Sequence, residues 1–266
     1  MASTGMTWLA ALGLMAGMAQ AAPSFDDLFK DFESTTKSQV EDFVQPLGDA
    51  LTALASGGTF HGARSKGLLG LDVGLKLVSV PFSSGDVPAG SVLDRSEASA
   101  VGLPMLTASK GLVKGLQVGA RFMSLELDKE VGSLQHLGAS LRFEINELFH
   151  IPLLMPRLGL QADWSRLQVG DALTTTATGL DLIVSKSFVV LEPYAGISLI
   201  QGRTELDYTS RAPGLEGQKV GLDLDSNPVR LAAGVNITPF PLLRINAEYA
   251  LGDFNTITVG ALLNLF

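Results

Sequence analysis

The chain contains no cysteine. That excludes a disulfide framework, a thiolate metal site and a lipoprotein-type anchor. Past the N-terminus it also lacks the ~20 unbroken apolar residues that a membrane-spanning helix needs. Runs of Lys or Arg are missing, and 19 basic against 27 acidic residues give a net charge of −8. The charge balance argues against a nucleic-acid partner. No nucleophile elbow, phosphate loop or helical metal motif occurs. The three histidines, His61, His136 and His150, stand apart from one another in sequence, so neither a catalytic centre, a cofactor nor a metal is expected. Yet hydrophobic residues make up 46% of the chain and the mean hydropathy is +0.30. So much apolar surface needs an outlet other than a membrane helix.

Residues 7–19 form an apolar run of signal-peptide length, and Ala19-Gln20-Ala21 supplies a small-x-small cleavage pattern. Residues 1–21 are therefore expected to be a cleaved export signal, although its first residues carry no Lys or Arg. Residues 22–60 read as an amphipathic helical segment. Phe25, Leu28, Phe29 and Phe32 fall on one helical face, with Ser24 as N-cap, and Val40, Phe43, Val44 and Leu47 continue the apolar stripe. Pro46 predicts a kink or stop, and Gly57-Gly58 an end. The segment is expected to cap the periplasmic mouth of the following domain, or alternatively to plug its lumen.

From residue 61 to 266 the period becomes two. Leu69, Leu71, Val73, Leu75 and Leu77 interleave with Gly70, Asp72, Gly74 and Lys76; Leu137, Ala139, Leu141, Phe143 and Ile145 interleave with Gly138, Ser140, Arg142 and Glu144. Five further segments, near residues 116, 158, 191, 229 and 243, repeat the pattern. A strand wall in lipid shows this alternation, apolar outward and polar or small inward. The inward set mixes Gly and Ser with single charges, which suits a narrow, crowded interior better than a water-facing sheet. The expected fold is an all-β, antiparallel up-and-down transmembrane β-barrel of about ten strands, with eight or twelve as alternatives. The strands are placed at 68–82, 97–109, 112–127, 134–147, 157–168, 173–186, 188–205, 217–238, 242–252 and 255–266. An even count puts both barrel ends in the periplasm. Polar-tipped aromatics are scarcer than barrel girdles usually show.

The last strand resembles the β-signal of bacterial outer-membrane barrels, matching it at Thr258, Gly260, Leu263, Leu265 and Phe266 and departing from it at Asn264. The resemblance implies recognition by the barrel-assembly machinery, insertion in outer-membrane lipid and residence in the bacterial outer membrane. Residues 61–82 and 101–123 are similar to an uncharacterised family of outer-membrane barrels. They resemble more distantly the fatty-acid and hydrocarbon transporters.

On this reading Asp72, Lys76, Arg121, Arg142, Glu144, Asp163, Glu192, Tyr194, Arg230, Arg244 and Glu248 face the lumen. They line a path for a small-molecule solute or form a structural ion-pair network. The expected function is a narrow channel or transporter for a small or hydrophobic solute. The alternatives are a structural or interaction barrel with a filled lumen and, more remotely, a lipid-modifying enzyme.

Overall fold

The computed structural model describes residues 37–83, 85, 87–89, 91–95, 99–113, 115–126, 132–149, 155–209 and 219–265. The expected export signal, the expected Ser24 cap with the Phe25–Phe32 face, and Phe266 lie outside the described residues. One helix, α1 (Lys37–Ser56), precedes the strands. Then follow β1 (Leu71–Pro81), the short α2 (Val92–Arg95), β2 (Ala100–Gly111), β3 (Leu116–Glu126), β4 (Ser133–Glu144) and the short α3 (Ile145–Phe149). The chain continues as β5 (Arg157–Val169), β6 (Leu173–Ser185), β7 (Leu191–Thr209), β8 (Lys219–Ser226), β9 (Val229–Phe240), β10 (Leu243–Leu251) and β11 (Thr256–Asn264).

The strands form a closed, antiparallel ten-strand barrel with one extra strand. Each strand from β1 to β7 pairs with its successor, β7 pairs with β9, β9 with β10, β10 with β11, and β11 closes on β1. The seam runs from Asp72↔Asn264 to Ser79↔Ile257. Closure gives each of the ten barrel strands a hydrogen-bonded neighbour on both sides, although β2 and β3 pair only from Leu106↔Phe122 to Gly111↔Gln117. The extra strand comes from one predicted strand, 217–238, that the structure divides at Asn227-Pro228 into β8 and β9. Pro228 has no N–H to give to a ladder, but its carbonyl still accepts from Ile200 N at 3.1 Å. Strand β8 pairs with the far end of β7, from Gly202↔Ser226 to Thr209↔Lys219, and makes the wall taller on that side.

One end of the barrel, here the turn end, carries the connections 112–115, 145–156, 186–190 and 241–242 as well as the start of β1 and the close of β11. The other, the loop end, carries the 18-residue-long stretch 82–99 and the β7–β8 hairpin. The outer face is a belt of aliphatic side chains: Leu75, Leu106, Phe122, Leu141, Leu160, Leu182, Ile197, Leu231, Ile245 and Val259 are all exposed, and between them they represent all ten barrel strands. The inner face is two-toned. Towards the turn end it is polar, with Asp72, Gln117, Arg142, Gln161, Asn236 and Asn246 buried. Towards the loop end it is apolar, with Val78, Val80, Val101, Leu103, Met123, Leu167, Leu173 and Leu206 buried in one cluster.

Candidate functional site: the occupied lumen

Helix α1 supplies the other half of that apolar cluster. Val44, Ala50, Leu51, Ala53, Leu54 and Ala55 pack on the inward residues of the loop-end wall, and the helix touches β1, β2 and β5 to β8. Full burial of each Leu or Val is worth roughly 1.5–3 kcal/mol. That gain exceeds the ~3 kcal/mol that a proline costs inside a helix, and α1 runs unbroken through Pro46. The helix therefore does not stop at Pro46. Close approach is built into the wall: a Cβ on Gly202 of β7 would stand 2.4 Å from the Thr52 side chain.

Past Ser56 the helix ends at Gly58, whose φ of +68° only glycine adopts without strain. Residues 57–70, the strap, then run from the loop end to the turn end without joining any strand ladder. The wall holds the strap by its backbone. Arg121 Nη1 donates to the carbonyls of Gly57 at 2.7 Å and Ala55 at 3.4 Å. Arg230 donates to Ser56 O at 2.8 Å and Ser56 Oγ at 3.1 Å. His136 Nε2 lies 3.2 Å from Ala55 O. These are the carbonyls that a helix C-terminus leaves without partners, and cations suit that end of the helix dipole.

Farther along, Lys76 Nζ donates to Gly58 O at 2.6 Å and Phe60 O at 3.1 Å. Arg142 Nη2 donates to Thr59 O at 3.2 Å, and Asn236 Nδ2 to His61 O at 2.8 Å. The strap's amides donate in return: Ala63 N to Ser185 Oγ at 2.9 Å, Ser65 N to Glu144 Oε2 at 2.8 Å and Lys66 N to Gln117 Oε1 at 3.1 Å. Phe60 is fully buried in a small cluster with Ile183, Tyr194 and Ala232, and the Arg230 guanidinium stands 6.0 Å from its ring centre.

The eleven lumen candidates thus fall into three groups. Lys76, Arg121, Arg142, Arg230 and Glu144 bind the strap. Asp163, Glu248 and Tyr194 support one another or a strap-binding residue. Asp163 pairs with Arg121 at 3.5 Å, across Gly138, where a Cβ would meet the Arg121 guanidinium at 2.9 Å. Tyr194 donates to Glu248 at 2.8 Å and accepts from Asn246 at 2.8 Å. The third group, Asp72, Glu192 and Arg244, faces a cavity of about 550 Å³ at the turn end. There Lys66 pairs with Asp72, and Arg244 lies 3.8 Å from it.

Charges therefore pair along the wall or with the strap instead of across an empty lumen, because chain occupies the axis. Residues singled out by no charge rule complete the site: Gln117, Gln161, Ser185, Asn236, Asn246 and the strap residues Ser65 and Lys66. For the wall residues among them the signal was the inward phase of the alternation, read for amides and hydroxyls as well as charges; Ser65 and Lys66 precede it. Burial, together with the charges of Lys76 and Arg142, holds the His61 imidazole well below its ordinary range, against a hydrogen bond to Thr59 O that raises it. Among the described residues, no group of three or more His, Asp or Glu is placed to hold a metal ion.

Of the residues that resemble an assembly signal, Thr258 is buried on the inner face and Gly260 sits opposite Lys76, where a Cβ would meet the lysine stem at 2.8 Å. Leu263 and Leu265 face outward.

Residues 82–265 match the model of a family described as a family of unknown function, DUF6588. Comparison with curated proteins finds no match. Among solved structures the chain is similar to Neisserial surface protein A, with 11% identity, 74% of this chain and 97% of that one covered, and a TM-score of 0.34. It is similar also to the KdgM porin in complex with disordered oligogalacturonate, with 7% identity, coverage of 74% and 100%, and a TM-score of 0.36. Ail of Yersinia pestis matches with 13% identity, coverage of 73% and 95%, and a TM-score of 0.29. At such identities and TM-scores none of these likenesses bears on what the chain binds.

Proposed function

The chain belongs to the DUF6588 family of unknown function, and from that premise we propose that it is an integral outer-membrane β-barrel that passes a small or hydrophobic solute through a narrow lumen, closed here by residues 37–66 as a displaceable plug. The membrane reading is supported by the aliphatic belt, which runs around the whole barrel. Left in water, such a belt far exceeds the few hundred Å² of apolar patch that soluble monomers tolerate. The turn end is then periplasmic, as the short connections and the strand ends suggest.

The observation that carries the plug reading is how the strap is held. Residues 57–66 make no backbone hydrogen bond to a strand, so the plug can leave without breaking one ladder bond. The strap's partners are Arg, Lys, Asn, Gln, Glu and Ser side chains, which water can satisfy after departure. A barrel filled for good would pack its axis with wall side chains, as ~8-strand barrels do. Here the wall leaves room for chain through inward glycines at 159, 196 and 202, where an added Cβ would meet Ala63, Phe60 and Thr52.

Two variants test this in planar bilayers and in liposome uptake. Deleting residues 37–66, or expelling the helix with Leu54→Asp, is expected to turn a nearly silent barrel into a conducting one. Heat-dependent gel mobility checks that each variant is still a barrel. Two folded variants with neither current nor solute uptake would establish the other reading, a structural barrel with a filled lumen.

A further inference from the structure

The turn-end cavity of about 550 Å³ has the size of a small-molecule site. Its charge runs against the rest of the molecule. Arg64, Lys66, Arg142 and Arg244 line it against only two carboxylates, Asp72 and Glu192, in a chain whose net charge is −8. Both carboxylates already have hydrogen-bond partners. Asp72 is paired with Lys66, and Glu192 accepts from Ser185 Oγ at 3.0 Å and Asn236 Nδ2 at 3.5 Å.

The guanidiniums are less well served. Arg142 is 3% exposed and spends Nε and Nη2 on neutral acceptors, Gln161 Oε1 at 2.9 and 2.6 Å and Thr59 O at 3.2 Å. No carboxylate stands within ion-pair distance of it among the described residues. The Nε of Arg244 is buried with no hydrogen-bond partner, and its one carboxylate, Asp72, is 3.8 Å away and shared with Lys66. Arg64 stands exposed at the rim. A buried cation without a counter-charge is costly unless something supplies one, and planar guanidinium groups recognise carboxylate and phosphate oxygens in pairs.

We propose that this vestibule binds a small anionic solute bearing a carboxylate or phosphate group, held by Arg142 and Arg244 with Arg64 at the entrance. Binding needs no movement of the plug, so the site stands or falls separately from the channel reading.

The test is calorimetric titration of the full-length barrel in zwitterionic detergent at fixed ionic strength, with succinate and inorganic phosphate as probes and glucose as the neutral control. Saturable binding of at least one anion, and none of glucose, is expected; which anion binds tells carboxylate from phosphate. Arg142→Gln and Arg244→Gln are expected to weaken binding tenfold or more. Arg64→Gln, an exposed change that leaves the barrel intact, is expected to weaken it several-fold. Arg203→Gln, on an exposed arginine paired with Asp223 at 2.9 Å near the loop end, should leave it unchanged. Absence of saturable anion binding in the folded wild type would overturn the proposal, and so would affinities that are the same in all three vestibule variants.

Discussion

Arg121 shows how much one side chain carries in this lumen. Its guanidinium holds two carbonyls of the helix terminus and faces Asp163 at 3.5 Å, and both charged groups are almost fully buried. Removing one partner of a buried pair leaves the other uncompensated, at a cost of roughly 3–5 kcal/mol. Arg121→Ala is expected to lower the urea midpoint of the barrel accordingly, and Arg121→Met with Asp163→Leu to recover part of the loss. A single variant with an unchanged midpoint would mean that the pair is solvated and stabilises little. The inward glycines act at the same scale. Gly138 leaves room for the Arg121 head and Gly234 for the Tyr194 ring, where added Cβ atoms would stand 2.9 and 2.4 Å away.

At the scale of the element, α1 and the strap are, in the proposed plug, one piece held by two kinds of force. The helix is held by apolar burial at the loop end, and the strap by hydrogen bonds along the polar part of the wall. His61 sits in the strap with its pKa well below the ordinary value of 6.5, chiefly through burial and then through Lys76 and Arg142. Plug out, it would protonate near its ordinary value; plug in, it resists. The seated plug therefore keeps its full stability above about pH 6.5 and loses it as the pH falls from there towards the lowered value. Hydrogen exchange of residues 57–66, corrected for its intrinsic pH dependence, is expected to be faster at pH 5.5 than at pH 7.5. His61→Gln should remove that difference; a difference that persists in the variant would assign the effect to another group.

For the whole molecule, the question is whether a solute would travel inside the barrel or out through its wall. The seam between β1 and β11 is the one place where chain ends meet, and it is fully laddered over eight register pairs. Leu75 and Ala261 face each other there on the outer surface. Because the chain has no cysteine, Leu75→Cys with Ala261→Cys introduces a single possible disulfide. Oxidation is expected to cross-link the seam and to leave the conductance of the plug-deleted barrel unchanged. Current lost on oxidation and restored on reduction would point to a lateral path.

The repeated alternation from Leu69 to Leu265 was enough for the all-β barrel, its strand number to within the one extra strand, and the inward or outward facing of most side chains. A period of two is local information: each strand must place alternate residues on opposite faces. The inward apolar residues Val78, Val80, Val101, Leu103 and Met123 were in plain view as well, but without coordinates they read as surplus hydrophobicity within otherwise ordinary strands. Their purpose depends on α1 lying against them, and that contact joins residues far apart in the chain. The same holds for Arg121, Arg142, Arg230 and Lys76. Their inward direction follows from the pattern. That they bind carbonyls of residues 55–60, and not one another, follows from which piece of chain fills the axis. Strand periodicity is written residue by residue, whereas the occupant of a lumen is settled by the summed packing of segments that meet only when the barrel closes.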